Sequence, residues 1–201
     1  VAPDPEIQAV VDHYQAELGQ ELNQPVGTTI VLLDTRRSTV RAGESNFGDL
    51  IADAMRAAVG AEVALTNGGG IPGDRTYEPS AVLPRKDIVT ELPFGNVVML
   101  MALFRRRSLA ALENGVSQVQ GAAGRFPQVP GLTFSYDPAK RAGSRIVKVE
   151  IGGAPLYPGR IYKVATNEYI FGGGNGYAAL GRRKPLIEPS AATLMATVVM
   201  N

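Results

Sequence analysis

Apolar residues recur at helical spacing near the start of the chain, where Ile7, Val10, Val11, Tyr14 and Leu18 form one stripe. Asp4 and Pro5 precede it, a capping carboxylate and then a proline suited to the first helical position, so a helix is predicted to open there. The apolar run from Thr28 to Leu33 reads as a buried strand. Helical spacing returns near Asn46, with Phe47, Leu50, Ile51, Ala54 and Ala58 predicted to face inward and Gly60 to end the helix. Glu62 to Thr66 is a short β-run that ends in Asn67 and three glycines. Arg85 to Leu92 predicts a short helix, and Val97 to Leu103 a strand buried on both faces. Ser108 to Asn114 predicts another helix, with Gly115 as its stop.

The second half turns β-rich. Leu132 to Tyr136 and Ile146 to Ile151 alternate, Gly152-Gly153 and Pro158-Gly159 punctuate them as turns, and Ile161 to Thr166 is a last strand. Leu194 to Met200 fits a helix or a strand equally. Helices and strands mix without strict βαβ alternation, and neither an internal repeat nor a long linker interrupts them. This predicts an α+β domain with mixed sheets.

The 201 residues suit one substantial domain, and 45% hydrophobic with 19% charged residues is the balance of a globular chain. Twenty basic against 19 acidic residues leave no basic excess, which argues against a nucleic-acid-coating protein. No apolar run approaches the roughly 20 residues of a membrane span. The first residues, VAPDPEIQ, lack the basic start and apolar centre of a signal peptide. There is no cysteine and His13 is the sole histidine, so a histidine- or thiolate-based metal centre cannot be built from this chain. His13 itself reads best as an exposed helix residue. No catalytic or metal-ligating residue and no cofactor is assigned.

Two glycine clusters carry the local chemistry. Gly68 to Gly70 and Gly172 to Gly176, the latter interrupted by Asn175, each follow a strand. Such runs contribute no packing and are costly to order, so they suit sharp turns or close approach to a ligand. Neither matches a Walker loop or a GxGxxG turn. Tyr169, Phe171 and Tyr177 flank the second, and an aromatic ring beside such a loop can hold a flat heterocycle.

Five strings in order carry a specific resemblance: RAGESNFGDLIADAM at 41–55, LTNGGGI at 65–71, LPFGN at 92–96, GRFPQV at 124–129 and ATNEYIFGGGNGY at 165–177. Together the chain resembles, from about Ile7 to its end, the C-terminal domain of the 5′-nucleotidases, a group that includes UDP-sugar hydrolases and cyclic-nucleotide phosphodiesterases. The resemblance implies a layered α/β/β/α domain that binds the nucleoside portion of a nucleotide. It further implies an N-terminal metallophosphoesterase domain as partner, with two divalent metal ions there and none here, and a periplasmic or extracellular location. Residues 1–22 would be the inter-domain helix and 23–201 the nucleotide-binding domain. The alternative is a binding module whose nucleotide specificity is altered and whose hydrolase role is lost.

Residue by residue, Phe94 and Tyr169 match the two aromatic positions that hold the base, with Tyr169 standing where phenylalanine is commoner. Asn67 matches the residue whose amide reaches the nucleoside, and Gly69 and Gly70 the loop backbone beside it. Arg37 and Arg41 match two phosphate-gripping positions, which would share one side of an extended segment. Pro72 stands where the family usually carries an arginine on phosphate, and Arg75 is the nearest residue that could reach into the gap. Asn175 replaces an aspartate that accepts from the ribose hydroxyls, which weakens the hold on the sugar. Phe104-Arg105-Arg106-Arg107 replaces a more polar turn.

Overall fold

The computed structural model describes residues 4–181 and 184–201. Residues 1–3 of the predicted inter-domain piece lie outside the described residues. Helix α1 (Pro5–Leu22) starts where the sequence predicts, because the Asp4 carboxylate accepts from the Glu6 and Ile7 amides at 2.9 and 3.4 Å. Its apolar stripe is not packed: Ile7 is 65% and Leu18 58% exposed. Near its C-terminal end, Glu21 pairs with Arg85 at 3.0 Å.

The predicted strand at 28–33 does not form. Strand β1 (Pro25–Thr28) ends before it, β2 (Leu33–Asp34) starts after it, and Ile30 between them is 90% exposed. Polar side chains take the backbone groups that a neighbouring strand would need. Thr29 Oγ1 accepts from Val31 N at 3.2 Å, Asn46 Nδ2 donates to the Leu32 carbonyl, and Asn46 Oδ1 accepts from Asp34 N at 3.1 Å. A single helical turn, α2 (Arg37–Val40), follows, then α3 (Asn46–Ala58), capped by Ser45. The buried face of α3 is Phe47, Ile51, Ala52 and Met55; Leu50 and Ala58, predicted inward, lie at its edge and stay exposed. Gly60, at φ +59°, ends the helix as expected.

The remaining elements are β3 (Val63–Asn67), β4 (Thr76–Tyr77), β5 (Val82–Pro84), α4 (Arg85–Glu91), β6 (Val98–Phe104) and α5 (Arg105–Val116). They continue with β7 (Pro127–Gln128), β8 (Leu132–Tyr136), β9 (Ile146–Ile151), β10 (Ala154–Pro155), β11 (Ile161–Asn167), α6 (Glu168–Phe171) and α7 (Met195–Met200). The undecided C-terminal segment is therefore a helix. Gly115 is not a stop: α5 runs past it, and a Cβ there would lie 2.8 Å from the Pro127 ring, so the glycine lets β7 approach the helix.

A mixed four-stranded sheet, ordered β6-β11-β3-β7, forms the centre. Period-2 alternation sends Val98, Ala64 and Ala165 to one core, under α3, α4 and α7. Leu103, Leu65 and Val164 go to the opposite core, with α5 and the second sheet β10-β9-β8. Helices, two sheets and α5 thus give the layered α+β arrangement expected from the sequence.

One charged group sits badly in this packing. Asp49, in the first turn of α3, is half-buried with its Oδ1 unpartnered. Burial first, then the Glu44 and Asp53 carboxylates, push it up to about 7. The folded protein therefore holds a proton that the unfolded chain releases from about pH 4, so stability falls as pH rises from about 4 to 7. We expect Asp49→Asn to match wild type near pH 4 and to gain about 1 kcal/mol at pH 8, allowing for the site's partial exposure. Urea unfolding at the two pH values checks this, and an equal difference at both would overturn it.

Candidate functional site

Strand directions gather the site. Because β11 runs parallel to β3, with Thr166 beside Leu65, the glycine loops after Asn67 and Asn167 leave the same end of the sheet. Strand β6 is antiparallel to β11, with Val98 opposite Asn167, so residues 94–97 arrive at that end. Strand β7 is antiparallel to β3, with Pro127 opposite Asn67, which brings Gly124 there as well. The four segments surround a cleft of about 510 Å³ lined by Arg41, Asn67, Gly69, Gly70, Phe94, Asn96, Gly124, Tyr169 and Asn175. That lining holds every residue that the resemblance assigns to substrate binding except Arg37.

Phe94 follows a proline and precedes Gly95 at φ +64°, a turn that lifts its ring off the core; it is 61% exposed. Tyr169, on α6, is 48% exposed. Large rings left open in the cleft lining are available for stacking. Behind them is a polar net. Asn167 Nδ2 donates to Thr66 Oγ1 and Asn67 Oδ1, both at 2.9 Å, and its Oδ1 caps α6 through Ile170 N at 2.9 Å. Asn67 Nδ2 donates to the Gly124 carbonyl at 3.2 Å. The Asn67 amide therefore mainly braces the loop, with its oxygen already engaged by Asn167.

Arg37 and Arg41 lie on a helical turn, not on an extended segment; Arg37 opens α2 and Arg41 is its C-cap in helical conformation, so at i and i+4 they still share a side. Arg41 lines the cleft, and its Nε is buried without a hydrogen-bond partner. An unmatched buried guanidinium nitrogen is costly, and a site for an anion explains it. Arg37 is exposed and outside the lining, its amide held by Asp74 Oδ1 at 2.8 Å. Neighbouring Arg36 is bound to Asp34 through Nε and Nη2 at 3.0 and 2.7 Å, which holds the Asp34 carboxyl down at about 2. Its charge is turned away from ligand binding.

Arg75 does not fill the gap left by Pro72. It lies 3.7 Å from Glu91 and 3.8 Å from Asp87 and is not part of the cleft. The loop is held by Glu91, which is fully buried and pushed upward by that burial. Its carboxylate accepts from Tyr77 Oη at 2.8 Å, Thr35 Oγ1 at 3.1 Å and Gly73 N at 3.1 Å.

Three residues escaped notice in the sequence although they lie in the strings quoted from it. Asn96 and Gly124 line the cleft. Gln128, fully buried, accepts from Ser45 N at 2.9 Å and donates to the Val40 and Gly43 carbonyls at 3.1 and 2.9 Å, fixing the segment that carries Arg41. An amide between Pro127 and Val129 in an apolar run was the available signal.

Among the described residues, no three His, Cys, Asp or Glu side chains come together to hold a metal ion. Nor is any described helix long and apolar enough to cross a membrane.

Residues 25–182 match the family model described as 5′-nucleotidase, C-terminal domain. The chain is 35% identical to the trifunctional nucleotide phosphoesterase protein YfkN of Bacillus subtilis, covering 87% of this chain and 12% of that one. With the 5′-nucleotidase of Bos taurus it shares 28% identity over 92% of this chain and 35% of the relative. The crystal structure of a 5′-nucleotidase precursor from Thermus thermophilus superposes with a TM-score of 0.84 at 35% identity, covering 99% of this chain and 40% of that one.

Proposed function

The chain belongs to the 5′-nucleotidase C-terminal domain family, and from that premise we propose that it is the half of a two-domain hydrolase that holds the nucleotide. The observation that carries the reading is one cleft presenting two open aromatic rings and an arginine whose Nε is buried and unmatched. Phe94 and Tyr169 take the base between them, Gly69 and Gly70 let the loop backbone come close, and Arg41 meets the phosphate. Arg37, one helical turn away, adds long-range attraction and becomes a contact only if its side chain swings over the cleft.

Since the chain spans 12 to 40% of the length of these relatives, hydrolysis belongs to a longer parent. In it, two divalent ions held by an N-terminal metallophosphoesterase domain would activate water and stabilise the leaving oxygen. Helix α1 is the connection to that domain, a reading supported by its unpacked apolar stripe. Export of the parent to the periplasm or cell exterior follows from the family, and the substrates are nucleotides cleaved to nucleosides and phosphate.

Calorimetric titration with AMP and adenosine, on wild type and Phe94→Ala, tests the reading. Wild type binds AMP, and the variant binds it about 10- to 100-fold more weakly, the worth of one base stack. The same samples release no orthophosphate when supplied with divalent metal. Unchanged affinity in the variant, or metal-dependent turnover by the chain, would sink the proposal. Absence of nucleotide binding would favour the second reading, a module with lost specificity, to which Pro72 and Asn175 already point.

A further inference from the structure

On the nucleotide-holding role proposed above, Asn175 lines the part of the cleft that would face the sugar, beside the Tyr169 ring proposed for the base. Asn175 sits in a left-handed conformation, φ 52° and ψ 23°, on the turn Gly174–Gly176. The orientation of its amide is fixed by chemistry. Nδ2 lies 2.8 Å from the Gly124 carbonyl, which can only accept, so Oδ1 must face the other way. There Oδ1 accepts from the Tyr169 hydroxyl at 3.2 Å. The Asn175 amide N–H donates back to the same hydroxyl at 3.2 Å, and the Asn175 carbonyl is held by Asn114 Nδ2 at 3.1 Å. Gly174 completes the clamp, since a Cβ there would lie 2.5 Å from the Tyr169 ring.

We infer that Tyr169 and Asn175 form a specificity-determining pair that makes the cleft indifferent to the 2′-hydroxyl, so that 2′-deoxyribonucleotides are ligands on equal terms with ribonucleotides. A carboxylate holds a vicinal diol with two charged oxygens. Asn175 offers one neutral oxygen, and that oxygen already has a partner. Strong rejection of an analogue that lacks a hydroxyl arises when the site's own polar groups are left unpaired by its absence. Here Tyr169 and Asn175 satisfy each other whether or not the hydroxyl is present. Tyr169 and Asn175 thus act together: the hydroxyl of the first takes one of the two acceptor sites on the side-chain oxygen of the second.

The test is calorimetric titration of the chain with AMP and 2′-deoxy-AMP, on wild type, Tyr169→Phe and Asn175→Asp. Wild type binds the two within about threefold of each other. Tyr169→Phe keeps the stacking face but frees the Asn175 oxygen, and Asn175→Asp adds charge; each opens a preference for AMP of about tenfold or more. Asn175→Asp places a carboxylate against the Gly124 carbonyl and is open to misfolding, so the phenylalanine variant carries the test if circular dichroism shows that loss. A wild-type preference for AMP of tenfold or more overturns the inference. So does equal binding of both ligands by both variants, because the pair would then not set the specificity. If wild type binds neither ligand, the nucleotide-holding role itself fails, a result distinct from binding with the wrong sugar preference.

Discussion

Gln128→Ala lowers the free energy of unfolding by about 3 kcal/mol and removes the preference for AMP over adenosine. The Gln128 side chain is fully buried and joins three backbone groups, the Ser45 amide and the Val40 and Gly43 carbonyls. Without it, the Ser45 amide and the Val40 and Gly43 carbonyls face a hole in the interior. Ser45 is the N-cap of α3, so the helix start loosens together with the segment before it. Val40 directly precedes Arg41, so with Arg41 in its proposed phosphate role a stability defect here is also a defect in phosphate binding. For a chain of this length the midpoint of thermal unfolding falls by about 6–12 °C. Calorimetric scans and paired titrations measure both effects. A variant that melts within 2 °C of wild type and still prefers AMP would show that the 40–45 segment is held by something else.

Gly68→Ala is expected to cost still more, about 3 kcal/mol or above, and to reduce soluble yield. A Cβ on Gly68 would lie 1.7 Å from the Val40 carbonyl oxygen and 2.6 Å from its carbon. Both atoms are backbone at the end of α2, so relief requires the helical turn or the end of β3 to move. Gly70, in the same triplet, is the internal control, since its Cβ would meet nothing nearer than the Asn67 oxygen at 3.4 Å. Gly70→Ala should unfold within about 1 kcal/mol of wild type. Comparing the two by urea denaturation isolates the close approach from any general intolerance of the loop. Equal losses in both would falsify the account.

The elements readable from the sequence were those whose pattern and packing agree. Strands β3 and β6 are buried on both faces over most of their length and read as nearly continuous apolar runs, and β11 is buried from Val164 on; α3 has its cap, its stripe and its closing glycine. The run at 28–33 looked equally apolar, but Asn46, thirteen positions beyond its end, takes the Leu32 carbonyl and the Asp34 amide that follows the run, and no local pattern announces that. Gly115 misled for a related reason: its role is set by Pro127, which meets it only in the folded chain. The same division holds in the cleft. The aromatic and glycine positions were visible in quoted strings, whereas the diversion of Arg75 to Glu91 and of the Asn175 oxygen to Tyr169 depends on contacts between loops.

The parallel neighbours β3 and β11 also govern when the cleft can exist. Thr166 Oγ1 donates to the Leu65 carbonyl across 101 positions of chain, and Asn167 reaches Thr66 over the same span. Closing so long a loop is entropically expensive, and contacts of this separation form late in folding. Tyr169 and Asn175 both follow β11, whereas Arg41, Asn67 and Phe94 precede it. During synthesis the Arg41 side and the Phe94 wall emerge first, and they stand without the Tyr169 wall until β11 and the loop after it are made. The cleft proposed to hold the nucleotide is therefore completed in one late step, as β11 slots between β3 and β6, and does not build up gradually as the chain lengthens.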